Sequence, residues 1–110
     1  MLDKLFVYGT LCPGRPNEHV MTAIGGEWRE GFVRGHLKGK GWGAEMGFPG
    51  IELAEDGEKV NGFVFISENL ADNWHKLDEF EGSEYSRVVT PVYLEDGTSL
   101  DAYIYMLSEQ

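Results

Sequence analysis

The sequence predicts an α+β fold built on a small, curved, mostly antiparallel sheet or barrel. Three observations lead there. Six short runs have the β-branched and aromatic bias of strands. Two of the junctions are Asp-Gly pairs, Asp56-Gly57 and Asp96-Gly97, the signature of two-residue hairpin turns whose central positions both need positive φ. Helical periodicity is confined to two segments, 18–24 and 68–81.

The first run, Lys4–Tyr8, reads as a buried strand that Gly9 ends, and a loop rich in Pro and Gly follows it. Asn17 is placed to cap a helix over Glu18–Ile24, with Val20, Ala23 and Ile24 on one side and Gly25-Gly26 as its stop. Residues 28–37 form a second strand, in which Gly31 and Gly35 mark bulges or close backbone approach. Residues 38–50 hold five glycines and read as a loop. Ile51–Ala54 is a short strand, and Asp56-Gly57 turns it back as a hairpin into Lys59–Ile66. On that return strand Val60, Gly62, Val64 and Ile66 share one face, and Phe63 and Phe65 the other. Ser67 caps a helix over Glu68–Glu81, which Gly82 ends. Tyr85–Leu94 and Ser99–Leu107 form a closing hairpin around Asp96-Gly97, with Pro91 marking an edge or a bulge.

With 110 residues the chain is expected to be one domain over 1–110, long enough for a core without staples. Its one cysteine, Cys12, leaves no disulfide framework or cysteine-based metal site within the chain. No apolar run reaches membrane-spanning length and no secretory leader is evident, so a soluble, cytoplasmic protein with no membrane partner is expected. The formal net charge is −10, and it is lopsided. Residues 1–50 carry 6 basic and 5 acidic side chains, whereas residues 51–110 carry 3 and 14. Such a surface repels phosphate backbones, which argues against a nucleic-acid partner.

One of those carboxylates is out of phase with the rest. Leu70, Ala71, Trp74, Leu77 and Phe80 form an apolar helical stripe. Advancing about 100° per residue from Leu70 puts Trp74 at about 40°, Leu77 at about −20° and Phe80 at about −80°. Glu81 falls at about 20°, the centre of the stripe, while Asp78 lies on its flank at about 80° and Glu79 faces water at about 180°. A glutamate on the apolar face loses hydration, and at a helix C-terminus the dipole disfavours its charge. Both effects raise a carboxyl pKa, which suits a general acid/base. The alternatives for Glu81 are a solvated carboxylate at a frayed end and a structural partner for Arg87.

The junction Tyr8-Gly9-Thr10-Leu11 is a second candidate. A glycine just after a buried strand lets the chain turn and leaves consecutive N–H groups unpaired, a concavity suited to a carboxylate. No Walker-type Gly-Lys-Ser/Thr follows, so a nucleotide phosphate is not indicated. His19, His36 and His75 have no metal-binding spacing, and no metal ligands are assigned. Arg34, His36, Lys38 and Lys40 with Trp42 form a small basic-aromatic patch, a weak RNA signal on so acidic a chain.

In combination the motifs resemble the γ-glutamylcyclotransferase-like family, including the avirulence-induced plant proteins and γ-glutamylamine cyclotransferases. Phe6-Val7-Tyr8-Gly9-Thr10-Leu11, then Gly14 and Asn17, is similar to the family's opening motif. Phe48-Pro49-Gly50-Ile51 and Val60-Asn61-Gly62-Phe63-Val64-Phe65 are similar to its next two segments. Leu77-Asp78-Glu79-Phe80-Glu81-Gly82, followed by Tyr85 and Arg87, resembles its most diagnostic stretch, and Ala102-Tyr103-Ile104-Tyr105 fits its closing hairpin. The chain departs from the pattern at Glu18, which separates Asn17 from His19.

The resemblance implies a small mixed, mostly antiparallel barrel of about six strands with flanking helices. It also implies a cofactor-independent reaction on a small γ-glutamyl compound, in which the substrate's own α-amine attacks the γ-carbonyl to give 5-oxoproline and an amine or amino acid. Carried over by motif, Glu81 is the acid/base, the backbone of Tyr8, Gly9, Thr10 and Leu11 holds the γ-glutamyl part, and Tyr85 lines the pocket. The alternative is a non-catalytic module of the same fold that holds a small carboxylate-bearing metabolite.

Overall fold

A computed structural model describes residues 3–9, 11–15, 17–38, 50–82 and 85–107. Its strands are β1 (Lys4–Val7), β2 (Glu27–Lys38), β3 (Gly50–Leu53), β4 (Glu58–Ile66), β5 (Tyr85–Leu94) and β6 (Ser99–Leu107). Helix α1 spans Glu18–Ile24 and α2 spans Trp74–Glu81, the latter preceded by a 3₁₀ helix over Glu68–Asp72. The strands run in the order β3-β2-β4-β1-β6-β5, and β5 returns to β2. Five strands thereby close into a barrel, with β3 as an extra strand on β2. The β1–β6 pair is parallel, while β1 to β4, β2 to its three partners and β5 to β6 are antiparallel. The architecture is the α+β, mixed and mostly antiparallel barrel with flanking helices that the sequence predicts.

The alternation of side chains sorts the core into two clusters. Phe6, Val33, Val60, Val64, Val92, Ala102 and Ile104 fill the barrel. Leu5, Val7, Phe65 and Tyr105 point outward and are covered by Met21, Leu70, Trp74 and Leu77 of the helical segments. Full burial of a Leu, Phe or Met such as these stabilises by about 1.5–3 kcal/mol per side chain. In α1 the buried residue is Met21, flanked by half-buried Val20 and Ile24, whereas Ala23 faces solvent. The helix turns the longer apolar side chain inward, where it covers more area. No helix among the described residues is long and apolar enough to cross a membrane.

The structure corrects the expected hairpin at Asp56-Gly57. β3 and β4 do not pair with each other: Gly35 of β2 stands opposite Leu53 of β3 and also opposite Glu58 of β4. The chain leaves one edge of β2, crosses over it at Gly35 and joins the other edge. The crossing needs two bare backbones in contact. A Cβ on Gly57 would lie 2.6 Å from the Gly35 nitrogen, and one on Gly35 would lie 2.6 Å from the Glu52 carbonyl oxygen. The tight turn survives, closed by the Gly57 N–H donating to Ala54 O at 2.9 Å.

The β5–β6 hairpin forms as expected, with a different turn. No described non-glycine residue has positive φ, so neither Asp-Gly pair adopts the type with two positive-φ positions. At Asp96-Gly97 only Gly97 is left-handed, with φ 87°. The N–H of Gly97 donates to Leu94 O at 3.1 Å, and the N–H of Leu94 donates to Thr98 O at 2.9 Å, leaving the glycine as a bulge. Pro91 stands opposite Asp101 of β6, while β5 meets β2 only through Tyr93 and Leu94, so the proline sits where β5 has one partner.

The expected helix over 68–81 is broken at Asn73, where ψ is −2°. The Ser67 hydroxyl accepts from the Asn69 N–H at 3.1 Å, which holds the start of the 3₁₀ turn, and donates to Gly25 O at the end of α1. The break leaves the phase of the last two turns intact, because Trp74 and Glu81 both lie within α2.

Candidate active site

The last turn of α2 lies against β5 and β6 and is fastened there by Asp78. Its Oδ1 accepts from the Tyr105 hydroxyl at 2.7 Å and from Arg87 Nε at 2.9 Å, and its Oδ2 accepts from Arg87 Nη2 at 3.4 Å. Arg87 stacks its guanidinium 4.5 Å from the Trp74 ring centre and 4.6 Å from that of Tyr103. Burial pushes the Asp78 carboxyl up, but the hydrogen bonds from Arg87 and Tyr105 and the nearby positive charge leave it below its ordinary value. Gly82 ends the helix with φ 86°, its N–H donating to Asp78 O at 3.0 Å.

Glu81 is the final residue of α2 and is half-buried, while Glu79 is exposed. Its charge reaches two tyrosine hydroxyls. The Tyr8 hydroxyl is pushed well above its ordinary pKa, first by burial and then by the charges of Glu81 and Tyr85, with the Ile51 N–H pulling the other way. The Tyr105 hydroxyl is pushed up by burial, by its bond to Asp78 and by Asp78's charge, with Glu81 adding to the effect. Both hydroxyls, from the ends of β1 and β6, feel the charge of Glu81.

Tyr8, half-buried just past β1, uses its side chain structurally. Its hydroxyl donates to Tyr105 O at 2.7 Å and accepts from the Ile51 N–H at 3.0 Å, tying β1 to β6 and β3. Gly9 begins a turn closed by the Cys12 N–H donating to Gly9 O at 3.1 Å. The N–H groups of Gly9 and Leu11 meet no acceptor among the described residues. Leu11 buries its side chain beneath the helices, and Thr10 lies outside the described residues. Tyr85 opens β5 and is half-buried against the same outer cluster. An open groove of about 780 Å³ runs beside the loop, lined by Tyr8, Cys12 and Arg15 together with Phe32, Lys59 and Tyr93.

Sequence reasoning singled out Glu81, the loop and Tyr85, but missed Asp78 and Tyr105, and it offered Glu81 as the partner of Arg87. The structure gives Arg87 to Asp78. The flank position of Asp78 was the available signal, since a carboxylate there reaches the neighbouring strand. Of the basic-aromatic patch, residues 39–49 lie outside the described residues. Cys12 is buried and its thiol is pushed up to about 11 by that burial, with Arg15 pulling it down, so it is a poor nucleophile.

The comparisons with known proteins agree with the fold. The profile of the family described as gamma-glutamyl cyclotransferase, AIG2-like, matches residues 5–110. An AIG2-like protein from Mus musculus superposes with a TM-score of 0.74 at 28% identity, covering 97% of this chain and 78% of that one. YkqA from Bacillus subtilis gives a TM-score of 0.74 at 26% identity over 98% of this chain, which spans 36% of that protein. A structure titled gamma-glutamyl cyclotransferase gives 0.67 at 17% identity, over 99% of this chain and 68% of that one, a likeness of fold alone. No curated protein matches the chain.

Proposed function

Because the chain belongs to the AIG2-like gamma-glutamyl cyclotransferase family, we propose that it releases 5-oxoproline and an amine or amino acid from a small γ-glutamyl compound in the cytoplasm, with Glu81 as general acid/base. The observation that carries this reading is the half-buried place of Glu81 at the end of α2, within electrostatic reach of the Tyr8 and Tyr105 hydroxyls. A carboxyl in such surroundings suits a group that must both take and return a proton.

The chemistry is intramolecular. Glu81 takes a proton from the substrate's α-ammonium, and the freed amine attacks the γ-carbonyl carbon, forming the ring C–N bond. The proton returns to the departing nitrogen as the old C–N bond breaks. A second proton follows from the ring nitrogen to the released amine, so the net exchange with solvent is zero. Nucleophile and electrophile belong to one molecule, so holding a bent conformer supplies much of the acceleration and no cofactor is required. The N–H groups of Gly9 and Leu11, with Tyr8 and Thr10 in the same loop, are the donors that hold the γ-glutamyl part and the developing oxyanion. In this reading Tyr85 also contacts the substrate, while the described lining of the open groove includes neither it nor Glu81.

The second reading, a binding module for a small carboxylate-bearing metabolite, draws on the same loop. Incubating the protein with a panel of γ-glutamyl amino acids and γ-glutamyl amines, and scoring 5-oxoproline by mass spectrometry, separates the two. The enzyme releases it from at least one compound, and Glu81→Gln folds, binds that compound and loses about 10³-fold or more in rate. Binding without release by the wild type supports the module and overturns the enzymatic reading.

A further inference from the structure

The barrel closes through its shortest antiparallel pairing. β5 stays beside β6 from Tyr85 and Leu107 to Tyr93 and Ser99, but it meets β2 only at Gly31 with Leu94 and Phe32 with Tyr93. The approach at this seam is close. A Cβ on Gly31 would lie 2.9 Å from a Val92 methyl and 3.0 Å from the Tyr93 carbonyl oxygen. The Leu94 N–H donates to Thr98 O and the Leu94 carbonyl accepts from the Gly97 N–H, so strand alternation turns the N–H and carbonyl of Tyr93 toward β2. On the outer face the Phe32 and Tyr93 rings lie across the seam, with centres 5.3 Å apart. Continuing the same register sets Glu30 opposite Glu95, next after Gly31 and Leu94. Glu30 shares the outer face of β2 with Phe32, and both glutamates line the same open groove.

We propose that Glu30 and Glu95 are an acid-tightened latch on the β2–β5 seam: at neutral pH the two carboxylates push the strands apart, and in mild acid Glu30 takes up a proton and donates it in a hydrogen bond to Glu95. Like charges directly opposite on neighbouring strands weaken their pairing, and here only two residue pairs resist them. The other charged groups at the seam are engaged around this pair. Arg29 meets Asp96 at 4.0 Å, and Lys59 of β4 lies 4.5 Å from the centre of the Phe32 ring. Arg15 faces the groove from the loop, and β4 sets uncharged Phe63 opposite Glu30. The hydrogen bond to Glu95, and then its charge, push the Glu30 carboxyl above its ordinary value. A raised group contributes stability that is fully present below its unfolded pKa, about 4.3 for glutamate, and is lost as pH rises through the folded value. The latch is therefore closed in acid and open at pH 7. It holds whether or not Glu81 acts as an acid/base.

The test is a double-mutant cycle of Glu30→Gln and Glu95→Gln, read as melting temperature in dilute protein from pH 7.5 to pH 4. At pH 7 each single variant melts about 2 °C above the wild type, and the double variant adds less than about 1 °C to the better single, because either change removes the same repulsion. Toward pH 4 the gain disappears, since the wild-type pair then holds its proton. Asp101→Asn, exposed on β6 opposite Pro91, removes one negative charge elsewhere and shifts the melting temperature by less than about 1 °C. Hydrogen exchange locates the effect. With intrinsic rates corrected, the Tyr93 amide of the wild type gains about threefold protection between pH 7 and pH 5 relative to the Val92 amide, which alternation turns toward β6. In Glu30→Gln that relative gain is lost. Any of four results overturns the proposal: gains of the two singles that simply add, a gain no larger than that of Asp101→Asn, a gain unchanged at pH 4, or equal changes in protection at Tyr93 and Val92.

Discussion

The hydroxyl of Tyr8 donates to the main-chain oxygen of Tyr105 at 2.7 Å, across the parallel pair of β1 and β6. That one hydroxyl also accepts from the Ile51 N–H, so it joins three strands that are distant in sequence. The parallel pair is short, with Leu5 opposite Tyr103 and Phe6 opposite Ile104, and the Tyr8 bond extends its hold to the rim where the candidate loop begins.

Tyr8→Phe leaves the Ile51 N–H and the Tyr105 carbonyl without that partner in a half-buried setting. The expected cost is about 1–3 kcal/mol of stability. For a domain of this size the melting temperature falls by roughly 4–8 °C for each kcal/mol. Urea and thermal unfolding of the wild type and the variant measure it, and a change within error removes the role assigned to this hydroxyl.

Asp78 gives stability a pH dependence of definite sign. Burial opposes its ionisation, but Arg87 and Tyr105 outweigh that and hold its folded pKa below the ordinary value. A depressed carboxyl contributes stability above its unfolded pKa and loses it as pH falls through the folded value. Wild type is therefore more stable than Asp78→Asn at pH 7, and the gap narrows as pH drops below about 4, the ordinary aspartate value. Melting temperatures of both proteins from pH 7 to 2.5 trace the gap; a gap that widens with acid contradicts the assignment.

Gly57→Ala places a methyl 2.6 Å from the Gly35 nitrogen, where the three nearest atoms are all Gly35 backbone and cannot rotate away. The crossing of β2 has to open, at a cost of about 3 kcal/mol or more. Gly14→Ala meets nothing within 4 Å among the described residues, so its penalty is that of a φ of 78° and is smaller. Chemical denaturation of the two variants ranks them, and a Gly57→Ala protein as stable as the wild type refutes the crossing.

Cys12 is buried with its thiol pushed up to about 11. At pH 8 the thiolate fraction is on the order of 10⁻³, and the sulfur is covered as well. A disulfide reagent such as DTNB reacts slowly with the native protein and at the rate of a free thiol once urea unfolds it. Fast reaction in the native state contradicts this burial.

The sequence alone determined what local spacing encodes: six strands, the helical segments, the barrel and helix faces, and the phase that sets Glu81 with Trp74 and Leu77. Period 2 in Val60–Phe65 and seven-residue spacing in Trp74–Glu81 are properties of neighbouring residues, so they are legible without the fold. Even the break at Asn73 did not disturb the second, because both of its ends lie in α2. Which strands pair is not a local property. Asp56-Gly57 reads as a hairpin, yet Gly35 receives β3 and β4 on opposite edges, because barrel closure through β5 and β2 decides where each edge goes. The same holds for the proton network. Asp78, Arg87 and Tyr105 are ordinary residues in the sequence, and only the packing of α2 across β5 and β6 brings one carboxylate within hydrogen-bond reach of both donors.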